Sequence, residues 1–146
     1  MAEPRPLAIL RQAICNVCMV ICALLLSGCL LISGEQTTIS MQESAANILI
    51  TFVSAEGSDE YQVAVLPASI EVQAIVILAV ETGDVQIDLL QPDGAVAFVL
   101  AGRPGAQVTR SGQLRSDEQG RIRYRITARG ARNGEIQIFL LPAIGE

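Results

Sequence analysis

From Ala46 onward, apolar residues recur at every second position, and this period decides what the chain can build. In DVQIDLL (84–90) Val85, Ile87 and Leu89 alternate with Gln86 and Asp88. In GRIRYRITA (120–128) Ile122, Tyr124 and Ile126 alternate with Arg121, Arg123 and Arg125, and in GEIQIFLL (134–141) Ile136, Ile138 and Leu140 continue the pattern. Successive side chains of a strand point to opposite faces, so each segment reads as a strand with one face to bury. ANILITFV (46–53), EYQVAVL (60–66), SIEVQAIVILAV (69–80) and AVAFVLA (95–101) are further strand candidates. No segment after Cys29 carries a convincing amphipathic helical period. The expectation is an all-β domain over 46–146, a small antiparallel β-sandwich of seven or eight short strands.

The punctuation between these segments agrees. Gln91-Pro92-Asp93-Gly94 places proline where φ is already near −65° and glycine where a turn tolerates it, so it should reverse the chain between 84–90 and 95–101. Asn133-Gly134 predicts a second hairpin, between the arginine-rich strand and the last one. GDVQIDLLQPDG followed by GRIRYRITARGARNGEIQIFLL resembles the pre-peptidase C-terminal type of β-sandwich found in secreted bacterial proteins. That resemblance lies in the C-terminal half of the chain and implies a non-catalytic accessory or binding module, here without an attached peptidase.

With 146 residues the chain has room for one domain, and with 51% hydrophobic but only 3% aromatic residues its core must be aliphatic. The chain has no His, and all ten of its basic residues are Arg. Without His or Lys, and with no cysteine after Cys29, the usual general bases and activated nucleophiles are missing, so no enzyme is expected. Paired carboxylates, Asp84 with Asp88 or Asp59 with Glu60, are the remaining catalytic option, and they are commoner as solvated surface groups. Asp84, Asp88 and Asp93 have hard oxygen donors suited to Ca²⁺, but their spacing matches no calcium loop, so no metal site is expected. The scarcity of aromatic rings argues against a sugar-stacking surface and a single-stranded nucleic-acid platform.

The N-terminus is organised differently. A short head with Arg5 and Arg11 precedes an apolar stretch from about Ala13 to Leu26, which ends in small residues, the layout of a secretory signal. Leu26-Ser27-Gly28-Cys29 resembles the lipobox of bacterial lipoproteins. The resemblance implies cleavage between Gly28 and Cys29, a thioether-linked diacylglyceryl group on Cys29, and an N-acyl chain of the palmitate kind in hosts that add one. Residues 1–28 would be the signal peptide, and 29–45 the lipidated cysteine with a flexible tether, SGEQTTISMQESA, standing the domain roughly 20 Å off the bilayer. The alternative keeps 13–32 as an uncleaved membrane-spanning helix, since about 20 apolar residues suffice to cross a bilayer. Either way the C-terminal part lies on the extracytoplasmic side. Leu30 after the cysteine, rather than Asp, points to the outer membrane where the host has one. The Cys15-Asn16-Val17-Cys18 pair lies inside the apolar run and makes a poor redox or metal site.

Removal of residues 1–28 leaves eight Arg against fourteen acids. Such a domain is repelled by nucleic acid, so none is expected as a partner. The charges are segregated. Ten acids and no base lie between Glu35 and Asp93, whereas eight Arg and four acids lie between Arg103 and Glu146. Arg121, Arg123 and Arg125 would stand roughly 6–7 Å apart on one strand face and repel one another if unpaired. Either acidic strands pair with them across the sheet, or they form an anion-binding group for phosphate, sulfate or carboxylate. The function expected is that of a membrane-anchored, non-catalytic binding or structural module of the cell envelope with a protein partner. The alternatives are an accessory subunit of a membrane complex that keeps 13–32 as a helix, and a carboxylate-dependent enzyme.

Overall fold

The computed structural model describes residues 29–43, 45–64 and 66–143. The described residues form seven strands and no helix: β1 (Leu31–Ser33), β2 (Gln36–Gln42), β3 (Ala45–Ala64), β4 (Glu71–Leu90), β5 (Val96–Ala101), β6 (Val108–Arg115) and β7 (Arg121–Pro142). All pairings between strands are antiparallel. The order is β1-β3-β7-β4-β5, with β2 also on β3 and β6 also on β4.

Three strands are far longer than the sequence suggests, with 20 residues in β3, 20 in β4 and 22 in β7. Each was expected as two strands. Segments 46–53 and 60–66 are the two halves of β3, 69–80 and 84–90 those of β4, and 120–128 and 134–141 those of β7. What looks like a strand end is a bend. The three strands lie side by side and bend together around Gly57, Gly83 and Gly130, all with positive φ (106°, 78° and 54°). The β3–β7 register shifts between Ala55 and Gly57, and the β4–β7 register between Thr82 and Asp84. A bulge with a left-handed residue turns a strand sharply without ending its pairing. The inward phase slips there, which is why the period of two seemed to stop: in β4 it passes from Val76, Leu78 and Val80 to Val85, Ile87 and Leu89.

The folded sheet thereby encloses its own apolar face. One half consists of β2, the first part of β3, the last part of β7, the first part of β4, and β6. The other consists of the remaining parts of β3, β7 and β4, with β5. Ile48, Leu78, Ile136 and Ile138 from the first half and Ile87, Leu89, Ile122 and Ile126 from the second belong to one buried cluster. The result is the sandwich-like core that a chain without helices needs.

Asn133-Gly134 is not a hairpin. Asn133 has φ 47° and the strand runs on through it, with Gly134 paired to Phe52. A side chain on Gly134 would lie 2.0 Å from the Phe52 ring, so the glycine is there to seat the ring. Gln91-Pro92-Asp93-Gly94 does reverse the chain, with the Gly94 amide donating to Gln91 O at 2.9 Å and the Gln91 amide to Ala95 O at 2.7 Å. β6 was not anticipated, because VTRSGQLR has only a weak apolar alternation, yet it pairs along Glu71–Leu78.

The segment expected to be a tether is also strand. β2 pairs with Ala45–Thr51, and β1 with Ser54–Glu56. Backbone pairing with β3 orders it despite its polar side chains. Among the described residues the first strand begins two positions after Cys29, and Leu31 and Ile32, expected at the end of a membrane helix in the alternative reading, are strand residues. The signal or anchor segment over 1–28 lies outside the described residues.

The bend can be tested with two alanines. Gly83→Ala would put its Cβ 2.3 Å from the Gly130 carbonyl oxygen, whereas Gly105→Ala, at a similar φ of 73°, would meet nothing within 4 Å. Gly105→Ala should cost about 1–2 kcal/mol, the strain of a left-handed L-residue, and Gly83→Ala clearly more. Urea melts of the two variants check this, and equal losses would contradict the close backbone approach at the bend.

Candidate functional site

The outer face of the half built from β5, the last parts of β3 and β4 and the first part of β7 carries the charged residues singled out above. In β7, Ile122, Tyr124, Ile126 and Ala128 are buried, so Arg121, Arg123 and Arg125 point outward as the period requires. Cross-strand register places Glu60 and Asp88 on either side of Arg125. Glu60 bridges two arginines. Its Oε1 accepts from Arg123 Nε at 2.9 Å and also from Arg123 Nη2, and its Oε2 accepts from Arg125 Nη2 at 3.3 Å. Arg125 Nη1 lies 3.8 Å from Asp88 Oδ2, and the same Asp88 accepts from Gln86 Nε2 at 2.7 Å. Arg123 Nη1 donates to the Pro92 carbonyl at 3.3 Å.

Arg121 stands at the end of the row and is held locally. Asp117 accepts from its Nε at 2.7 Å, from its backbone amide at 2.8 Å and from the Gln119 amide at 2.8 Å. Of the two arrangements open to this row, the geometry is that of pairing with acids of the sheet and its turns. Acids from the first part of the domain do meet bases from the last, because β7 lies between β3 and β4.

These contacts set the protonation of the acids. Hydrogen bonding from Arg123 is the largest influence on Glu60; with the charges of Arg123 and Arg125 it outweighs partial burial and holds the carboxyl below its ordinary value of 4.5. For Asp117 desolvation is the largest single influence and pushes upward, but the backbone and side-chain hydrogen bonds from Arg121 and the Gln119 amide together win and lower it. Neither carboxyl is poised near neutrality, as a general acid or base would be.

On the inward side of the same strands, Tyr61 and Tyr124 stack with centroids 5.3 Å apart and planes 13° from parallel. Burial raises the Tyr124 hydroxyl well above its usual range, with Tyr61 and Glu35 adding to the effect. Burial also raises Tyr61, helped by the charges of Glu35 and Asp59. The sequence reading placed Tyr124 inward but missed the stack. Its signal was there, since Tyr61 falls on the inward phase of β3.

The other carboxylates do not converge. Asp84 and Asp88 share the outer face of β4, with Gln86 between them, while Asp93 Oδ1 caps the turn by accepting from the Ala95 amide at 2.9 Å. Asp59 and Glu60 are neighbours on opposite faces. Among the described residues no group of three His, Cys, Asp or Glu side chains could hold a metal ion. An open cleft of about 340 Å³ lies beside the row, lined by Asp84, Gln86, Ala101, Gly102, Thr127 and Arg129. It offers polar contacts but no nucleophile next to a base.

The opposite outer face is different in kind. There Leu49, Ile75, Ile77 and Phe139 are half-buried and Leu141 is exposed, set among Asn47, Gln73, Gln137, Thr109 and Ser111. Register puts Asn47, Phe139, Ile75 and Ser111 in one cross-strand row and Leu49, Gln137, Ile77 and Thr109 in the next. Neither row holds a charge. Cys29 is exposed at the edge where the bend begins.

Glu60→Gln should remove part of the acid sensitivity of the fold. Because the folded carboxyl titrates below its ordinary value, its stabilisation is full above about pH 4.5 and is lost as pH falls through the lowered value. The variant should cost up to about 1 kcal/mol near pH 7 and progressively less toward pH 3, as read from melting temperature against pH. A loss that does not shrink in acid would contradict the bridge.

No protein-family model matches the chain, and comparison with curated proteins finds no match. Among solved structures it is similar to the carbohydrate-binding module CBM6cm-2 of Cellvibrio mixtus lichenase 5A, at 16% identity and TM-score 0.40 over 79% of this chain and 91% of that one. It is similar to the C-terminal CBM6 of LamC from Zobellia galactanivorans, at 15% identity and TM-score 0.39 over 76% and 90%. It is also similar to a Bacillus endospore appendage protein, at 14% identity and TM-score 0.44 over 77% and 95%. At these identities and scores the likeness stops at general β architecture.

Proposed function

We propose that the chain is an exported lipoprotein, lipidated at Cys29, whose β domain serves the cell envelope as a non-catalytic binding or structural module. The observation that carries this reading is the run Leu26-Ser27-Gly28-Cys29, whose cysteine is exposed. A lipid-attachment cysteine must be reachable by the modifying enzymes, and only Leu30 separates this one from the first strand. The membrane is then the first partner, through diacylglycerol on Cys29, and a protein of the envelope is the second. The extracytoplasmic face of the membrane is the site of action.

Two surface properties support binding over catalysis. The carboxylates nearest the arginine row are taken up by guanidinium groups, and the opposite face presents neutral polar and aliphatic rows. A sheet face with half-buried aliphatics amid neutral hydrogen-bonding groups suits contact with another protein. The missing tether sharpens the reading. With β1 starting at Leu31, which is 72% exposed, the bend end of the domain would rest at the headgroups rather than stand off from them.

Intact mass spectrometry of the protein extracted from its own membrane, beside a Cys29→Ala variant, tests this proposal. The expected species begins at Cys29 and carries added acyl mass that the variant lacks. A full-length unmodified chain would overturn the lipoprotein reading and favour the membrane-complex subunit instead.

A further inference from the structure

Among the described residues, β2 pairs with β3 alone, so its other edge presents a row of backbone donors and acceptors. All seven of its residues are exposed. Natural edge strands are commonly blunted by charge, proline or a bulge. Gln36-Thr37-Thr38-Ile39-Ser40-Met41-Gln42 has none of these. It also carries two of the large apolar side chains left exposed, Ile39 at 45% and Met41 at 67%. Their register opposite Ile48 and Ala46 puts them on the inward face, at an open margin of the core.

The order of residues in β2 is close to palindromic about Ile39, with glutamine at both ends, Thr38 mirrored by Ser40, and Thr37 by Met41. We propose that β2 is a self-pairing edge, which joins antiparallel to β2 of a second copy about a two-fold axis at Ile39. That pairing sets Ile39 against Ile39 and Thr37 against Met41 on the inward face. On the outward face it sets Thr38 against Ser40 and Gln36 against Gln42. The inward face receives an Ile39–Ile39 contact flanked by the Thr37 methyl groups against Met41, and the outward face receives hydroxyl and amide pairs where the surface is wet. A slip by one residue would place inward apolar groups against outward polar ones. The two-fold uses both edges at once, so the assembly closes as a dimer and does not propagate.

The ladder ends at the two glutamines. Glu35 and Glu43 would stand opposite one another just beyond it, but both lie outside the strand. Glu43 has φ 54°, and the Glu35 carboxylate accepts from Thr37 Oγ1 at 3.2 Å. Self-pairing of this edge is independent of how the chain is anchored.

Ile39→Cys in the full chain tests the pairing, with mild oxidation in the native membrane and identification of the linked peptide by mass spectrometry. Residues facing each other across an antiparallel pair have Cα atoms about 4.5–5.5 Å apart, within disulfide reach. Gln36→Cys and Gln42→Cys serve as controls, since each would lie roughly 20 Å from its own mate. The expected result is a disulfide-linked peptide pair joined through the thiols introduced at position 39, at least ten times more abundant than either control linkage. Equal yields at the three positions, or no linkage in the Ile39→Cys variant, would overturn the proposal. Ile39→Lys sets two ammonium groups face to face and should convert a dimer in detergent to monomer, with a retained cooperative melting transition to show that the fold survives. A parent chain that is monomeric at micromolar concentration in detergent and in the membrane would also overturn it.

Discussion

Everything in this fold depends on a sheet that must bury its own apolar face. Among the described residues there is no helix to lay over Ile48, Leu78, Ile87 and Ile126, so the sheet has to bend until its two halves meet. Three neighbouring strands can bend together only if two of their backbones come closer than side chains allow, and that need falls on Gly83, while Gly130 supplies a positive φ. The Gly83 α-carbon faces the Gly130 carbonyl so closely that a methyl group has no room. Phe52 over Gly134 and Phe98 against Gly112 repeat the device away from the bend, with a ring filling the space that a missing side chain leaves. The core is aliphatic, and its two buried phenylalanine rings lie where glycines would otherwise leave gaps.

The arginine row is best understood as a specification of register. Exposed ion pairs contribute only about 0–1 kcal/mol each. Their effect is larger on misaligned alternatives, because a one-residue slip of β3 or β4 against β7 would turn Glu60 or Asp88 inward and leave the guanidinium groups to repel one another. Strands of twenty or more residues have many registers to choose from, so a charge code along their common face is useful.

The sequence disclosed the strand class, the buried phase of each segment and the Pro-Asp-Gly turn, because these follow from local alternation and local turn chemistry. It also disclosed that acids and arginines from opposite ends of the chain could meet. Strand continuity was not legible. Gly57, Gly83 and Gly130 give the same local signal whether a strand ends or bends, and only the pairing of three strands at one level distinguishes the two cases. β2 was illegible for a related reason: Thr37, Ile39 and Met41 do alternate with polar residues, but the alternation is diluted by an inward face that stays open. Glu60 as the bridging acid required knowing which strand lies beside β7.

The contact between Gly57 and the Cys29 backbone has a mechanical meaning. The Cys29 carbonyl lies over Gly57 so closely that a Cβ there would be 2.4 Å away, and β1 follows at once along Ser54–Glu56. A pull on Cys29 therefore meets no slack. It enters the domain at the hinge of its longest strands, and the first bonds to bear it are the three-residue ladder of β1. That ladder works as a short fuse, which can peel away from β3 while the seven pairs of β2 still hold.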